Sequence, residues 1–232
     1  MCNPNDPTGA VLSREELTAL AELVATSNAY LLLDEAYADI VFDGPFHSGL
    51  RLHELTDRVV CCGTFSKTFA MTGWPIGHVV APAAVAEETN LVHRSLNGAV
   101  NTFAQDAALA ALPLRRALAA DAVVAYRDRR DRVVERLSGL PGVVVEVPRG
   151  AFYAFPRIRS GLSAEEMATR LAAGGVLVRS GSEYGPSGEG HVRLSYATSL
   201  ELLDEGLDRL RAVPPSLTAT AVPSRPHRGG TP

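Results

Sequence analysis

The chain has 232 residues and a mass of 24.6 kDa, enough for one large domain or two small ones. Hydrophobic residues make up 46% and charged residues 21%, a balance that supports a sizeable core and excludes wholesale disorder. With 22 Lys and Arg against 26 Asp and Glu, the net charge is −4, which leaves no basic field for nucleic acid.

The opening Asn3-Pro4-Asn5-Asp6-Pro7-Thr8-Gly9 reads as a loop, because two prolines, a glycine and side chains that bond their own backbone disfavour regular structure. It is polar and proline-broken, unlike a signal peptide. Ser13 followed by Glu16 reads as a capping box, starting a helix with Leu17, Leu20, Ala21 and Val24 on its apolar face. Ala29 to Leu33 is a continuous apolar run ending at Asp34, the signature of a buried parallel strand with a polar group at its C-terminal edge. A second strand is expected over Arg58–Cys62, ending at Gly63-Thr64-Phe65-Ser66-Lys67, and a third over Ile76–Ala81. The alternation of strand and helix argues for an α/β layer.

Residues 83–112 read as helical and alanine-rich, and Pro113 punctuates them before a long helix from Leu114 to Leu137 with an arginine-rich outer face. Gly139, Pro141 and Gly142 close it. Strands are then expected over Val143–Val147, Ala151–Phe155, Val176–Val178 and His191–Ala197, around a helix over Ala164–Ala172. Thr198 with Glu201 reads as a capping box for a last helix to about Ala212. Residues 214–232 hold almost no large apolar side chain and are expected to be a disordered tail.

Cys2, Cys61 and Cys62 are too few for a disulfide framework and two are neighbours, which fits a reducing cytoplasm. Both adjacent cysteines are expected in a buried strand without chemistry. His78, His93 and His191 lack metal-ligand spacing, so no metal site is expected. No apolar run approaches the ~18 residues of a membrane span, so no membrane partner is expected either.

Open α/β sheets place ligands where strands end, and three polar groups sit there: Asp34 with Tyr37, the Thr64–Lys67 turn, and the N-terminal loop. Ser66-Lys67-Thr68 superficially suggests a phosphate loop. That reading fails, because the two positions needing glycine hold Ser66 and Cys61.

Taken together, NPNDPTG at 3–9, LLLDEAY at 31–37, TFSKTFAMTGW at 64–74, GAFY at 150–153 and HVRLSYAT at 191–198 resemble the class I/II aminotransferases, the fold-type I pyridoxal-phosphate enzymes. The motifs fall in the family's order, and the resemblance extends through nearly all of residues 1–212. It implies an α/β fold with a mixed or parallel large-domain sheet and a small C-terminal α+β domain. The division it implies is large cofactor domain over 1–112, connecting helix over 113–138 and small domain over 139–213.

By the resemblance, Lys67 forms the internal aldimine with pyridoxal 5′-phosphate and shuttles the substrate's α-proton. Asp34 pairs with the pyridine nitrogen, Tyr37 donates to the phenolate oxygen, and Thr64 contacts the phosphate. Arg193 holds the α-carboxylate of the amino acid or 2-oxo acid in a bidentate fork. Phe152 and Tyr153 either border this site or only fill the small domain's core.

Three departures stand out. Asp6 occupies a cofactor-contacting position where the family has Asn, and an ionised carboxylate cannot donate to a phenolate; Asn5 is the nearest replacement donor. Pro75 stands where the family has its main phosphate-clamping arginine. The chain also begins at the NPNDPTG loop, so the resemblance implies roughly the C-terminal three-fifths of an aminotransferase, a homodimer at full length. Uncovered sheet surface is expected in such a fragment. The alternatives to transamination are a lyase, decarboxylase or amino-acid cyclase of the same fold, or an inactive homologue acting as a partner subunit.

Overall fold

Helix α1 (Arg14–Ala25) begins as the sequence predicts: the Ser13 hydroxyl accepts from Glu16 N–H while the Glu16 carboxylate accepts from Ser13 N–H. The computed structural model describes residues 1–52 and 57–212, so the expected tail at 214–232 lies outside the described residues. Leu17 and Ala21 of α1 pack onto alternate residues of strand β1 (Leu31–Asp34), whose Leu31 and Leu33 are buried. Strand β2 (Val59–Thr64) lies parallel to β1, with Asp34 opposite Cys62, and strand β3 (Gly77–Val80) runs antiparallel beside β2. The order β1-β2-β3 makes a mixed sheet. Short helix α2 (Phe65–Thr68) follows β2 directly. Leu32, Val79 and Val80 are exposed on this sheet.

The helical stretch expected over 83–112 is two helices, α3 (Ala83–Leu96) and α4 (Thr102–Ala111). Gly98, at φ 72°, turns the chain left-handed between them, and Asn101 then caps α4 through its side-chain oxygen on Ala104 N–H. None of the residues of α3 is buried.

Helix α5 (Arg115–Ser138) presents Val133 and Leu137 to the second and larger core. Its arginines are not all on an outer face. Arg130 is buried and donates to the Asp43 carboxylate and the Pro148 carbonyl, with a further bond to Asp131. Around this helix lie β4 (Val143–Val144), β5 (Tyr153–Ala154), β6 (Arg157–Ile158), α6 (Ala164–Ala173), β7 (Arg179–Ser180), β8 (Val192–Ser195) and α7 (Leu200–Ala212). Strands β5, β8 and β7 form one antiparallel sheet, and β4 pairs with β6. Residues 176–178, expected as a strand, instead precede β7. The cap of α7 is Ser199, not Thr198: its hydroxyl accepts from Leu202 N–H, and the third helical position is then Leu202, which cannot reciprocate as a glutamate would. Leu203, Leu207 and Leu210 bury one face of α7, while Asp204 and Asp208 pair with Arg132 and Arg136 of α5.

The larger core also takes in Tyr37, Ile40 and Phe42 from the segment after β1. What draws them there is a close backbone crossing. Gly9 O accepts from both Arg149 N–H and Gly150 N–H at 2.9 Å, Ala151 N–H donates to Ile40 O, and Phe42 N–H to Arg149 O. A side chain at Gly150 would come within 2.9 Å of Ile40 O, Pro4 Cβ and Val11 Cγ2. Replacing Gly150 by Ala forces these three segments apart, so the variant is expected to lose about 1–3 kcal/mol of stability, read as a lowered urea midpoint at unchanged slope.

Candidate active site

Asp34 and Thr64 stand at the C-terminal ends of the two parallel strands, on one edge of the sheet. Asp34 is exposed, and its Oδ1 accepts from Ala36 N–H at 3.0 Å. Thr64 caps α2: its hydroxyl accepts from Ser66 N–H at 3.1 Å and donates to Ile76 O at 3.3 Å. Lys67 lies in α2, with Nζ 5.7 Å from the Tyr37 ring centre and 5.8 Å from that of Phe152. The next residue, Thr68, donates to Asp39 Oδ2 at 3.0 Å, and Arg115 of α5 forks onto the same carboxylate with two bonds of 2.9 Å. Asp39 thereby ties the lysine turn to the long helix.

Tyr37 is buried and its hydroxyl lies 3.0 Å from that of Tyr153. Burial, reinforced by that bond, holds the Tyr37 phenol far above the ordinary tyrosine range, and burial also raises Tyr153. Both remain protonated at neutral pH. The Phe152 ring meets Tyr37 edge-on, with centres 5.3 Å apart. Phe152 and Tyr153 of GAFY both belong to the core; Phe152 also borders the lysine, and Tyr153 meets Tyr37 and Arg193.

Arg193, on β8, lays its guanidinium over the Tyr153 ring at 4.3 Å and beside that of Tyr184 at 5.4 Å. Its Nη1 donates to both carboxylate oxygens of Asp6 at 2.9 Å. Burial acts to lower the guanidinium's pKa, and the Asp6 carboxylate more than offsets it, so the net shift is upward. Arg193 Nε is buried without a partner among the described residues. Lys67, Tyr37, Tyr153, Arg193 and Asp6 thus form one continuous run of contacts.

Asn5, the replacement donor that the sequence suggests, is tethered within its own loop through its oxygen rather than its amide nitrogen. Its side-chain oxygen is committed to Thr8, accepting from the hydroxyl at 2.7 Å and from N–H at 3.2 Å. Sequence reasoning also passed over Tyr184, Asp39 and Glu35. Glu35 accepts from Ser48 Oγ and Gly49 N–H at 2.8 Å each and anchors the 48–51 turn. Beside it, burial first and then the Glu35 charge push the Cys61 thiol up to about 12, leaving it unreactive. Glu35 and Thr68 were legible as motif letters but not as contacts; Tyr184 carries no local signal. Among the described residues no cluster of His, Cys, Asp or Glu could hold a metal ion.

An edge of parallel strands carrying a lysine turn, a carboxylate and a buried phenol, joined through Tyr153 to an arginine on a second sheet, defines an α/β fold with its polar groups gathered at the strand ends. Residues 1–210 match the family model for aminotransferase class I and II, and the chain belongs to that family. It is 39% identical over 211 residues to an aspartate aminotransferase of Pyrococcus horikoshii, covering 89% of this chain and 54% of that one. It is 41% identical over 219 residues to aromatic-amino-acid aminotransferase 2 of Thermococcus litoralis, covering 90% and 55%. Among solved structures it is similar to the aromatic aminotransferase of Pyrococcus horikoshii, with TM-score 0.87, 36% identity and coverage of 91% and 58%. The Thermus thermophilus aspartate aminotransferase with maleate gives TM-score 0.86, 37% identity and coverage of 92% and 56%. The fold is therefore that of the fold-type I aminotransferases, and the chain spans about half the length of the curated relatives it matches.

Proposed function

We propose that this chain works in pyridoxal-phosphate-dependent transamination, the transfer of an amino group between an amino acid and a 2-oxo acid. The observation that carries the reading is the placement of Lys67, the only lysine among 232 residues, at the sheet edge beside the Tyr37 and Phe152 rings and at one end of the run to Arg193. The names of the relatives favour transamination over a lyase, decarboxylase or cyclase. The proposal extends to a cytoplasmic homodimer. Three free cysteines support the first part, and the exposed Leu91, Leu96 and Phe103 of α3 and α4 support the second.

The donor set fits the ring end of the cofactor: an amine, a carboxylate free to accept from a ring N–H, and a phenol that keeps its proton. The phosphate end has fewer donors, because the Thr64 hydroxyl is engaged in the α2 cap and Pro75 offers neither charge nor N–H. When bound, pyridoxal phosphate supplies an electron sink for the pair released at the substrate's α-carbon. Lys67 Nζ takes and returns the α-proton, Asp34 keeps a ring N–H in place, and Tyr37 donates its phenolic hydrogen. Arg193 orients the substrate carboxylate, and the Phe152 ring shields the lysine from water.

Borohydride reduction of the protein with pyridoxal phosphate is expected to place the label on the Lys67 peptide and nowhere else. A label confined to the N-terminal amine, or none with cofactor demonstrably bound, overturns the assignment and favours the inactive partner. Arg193→Lys loses the planar fork and is expected to weaken amino-acid binding by about 10- to 100-fold with the cofactor's visible absorbance nearly intact. An equal loss of cofactor would make Arg193 structural. Pro75→Arg, next to the Ile76 carbonyl that receives the Thr64 hydroxyl and Phe65 N–H, is expected to tighten cofactor binding about three- to tenfold in a visible-absorbance titration.

A further inference from the structure

Among the described residues, Asp6 is the one acidic group bonded to Arg193. Both carboxylate oxygens chelate Nη1 alone, so among the described residues Nε and Nη2, the side edge of the guanidinium, have no hydrogen-bond partner. Nη2 is the donor left for a ligand carboxylate, and the buried Nε–H beside it is unpaired. The guanidinium also lies over the Tyr153 ring at 4.3 Å and within 5.4 Å of the Tyr184 ring. The incoming carboxylate therefore sits within one guanidinium's width of a fixed negative charge. Both ion-pair partners are largely withdrawn from water, with 20% and 23% of their side-chain surface exposed, so the repulsion is weakly screened.

With Arg193 taken as the carboxylate site proposed above, we infer that Asp6 is a specificity-determining residue that tilts this site toward zwitterionic amino acids and against 2-oxo acids. The two ligand classes bring the same carboxylate. The amino acid also brings an ammonium on the adjacent carbon, which the Asp6 charge attracts, whereas the oxo acid brings a carbonyl oxygen and an uncompensated negative charge. An asparagine at position 6 would leave the Arg193 charge uncancelled and remove the distinction.

The test is calorimetric titration of the 232-residue chain, without cofactor, with leucine and with 4-methyl-2-oxopentanoate. The proteins are wild type, Asp6→Asn, Asp6→Ser and Arg193→Gln, each checked for folding by circular dichroism. In both Asp6 variants the oxo acid is expected to bind about tenfold tighter than in wild type, with leucine changed much less, so that the affinity ratio shifts about tenfold. A ratio unchanged in both variants, while Arg193→Gln still abolishes binding, overturns the role of Asp6 and leaves the Arg193 reading intact. Binding that survives Arg193→Gln, or is absent from every protein, overturns the Arg193 reading itself.

Discussion

The site depends on a crossing of two backbones at Gly9 and Gly150. These segments are far apart in the chain, and nothing larger than hydrogen fits where they meet: a Cβ on Gly9 would lie 2.5 Å from Pro148 Cβ, and one on Gly150 would strike Ile40 O. Gly9 is also in the left-handed region, at φ 71°. Because the backbones touch, the loop that follows Asn3 is held over the sheet that carries Arg193, and Asp6 reaches the guanidinium. The same crossing pulls Ile40 and Phe42 into the larger core and sets Tyr37 against Phe152 and Tyr153. The lysine side and the arginine side of the site are thus fixed by main-chain contact, independent of any side chain that performs chemistry.

The choice of cations supports a division of labour. The chain uses arginine almost everywhere, in ion pairs such as Arg132 with Asp204 and in buried anchoring such as Arg130 to Pro148 O. Arginine suits those tasks because its planar fork is always charged and forms several directed bonds. It cannot give up a proton near neutral pH, so it cannot serve as a base or a nucleophile. The one lysine lies where the proposed reaction calls for an amine that can lose its proton, and its helix is fastened to α5 through Thr68, Asp39 and Arg115 rather than through the lysine itself. Positioning and reactivity are carried by different side chains.

The α/β layer, the long helix and the positions of Asp34, Tyr37, Lys67 and Arg193 were legible in the sequence because they follow local rules: apolar runs ending in polar groups, a capping box at Ser13 and motifs in fixed order. The break at Gly98 was missed because alanine-rich sequence on both sides keeps the helical pattern running through a single left-handed residue. The α7 cap shifted by one position because Thr198 and Ser199 are both good caps, and only the register of Leu203 against the core decides between them. The contacts that distinguish the site were not legible at all. Asp6 reads as a defect in a donor position until its partner, 187 residues away, is seen to be Arg193. Tyr184 lies in a glycine-flanked 3₁₀ turn with no periodicity to mark it.

The Tyr37–Tyr153 pair shows how such long-range contacts govern what the local motifs can do. Burial keeps both phenols protonated, so two hydroxyl hydrogens serve one bond between them, and one hydrogen is left over. With Tyr37 donating to Tyr153, the spare hydrogen is on Tyr153, next to the ring face that carries Arg193. With Tyr153 donating instead, the spare hydrogen is on Tyr37, next to Lys67. The two arrangements differ only by rotation of hydroxyl hydrogens, and an acceptor placed near either end selects between them. Aspartate at position 6 adds acceptors and no donor on the Arg193 side, whereas an asparagine would have offered both. The Asp6 carboxylate thus stands at the Tyr153 end of the pair, joined to it through Arg193 and not by a bond to the phenol.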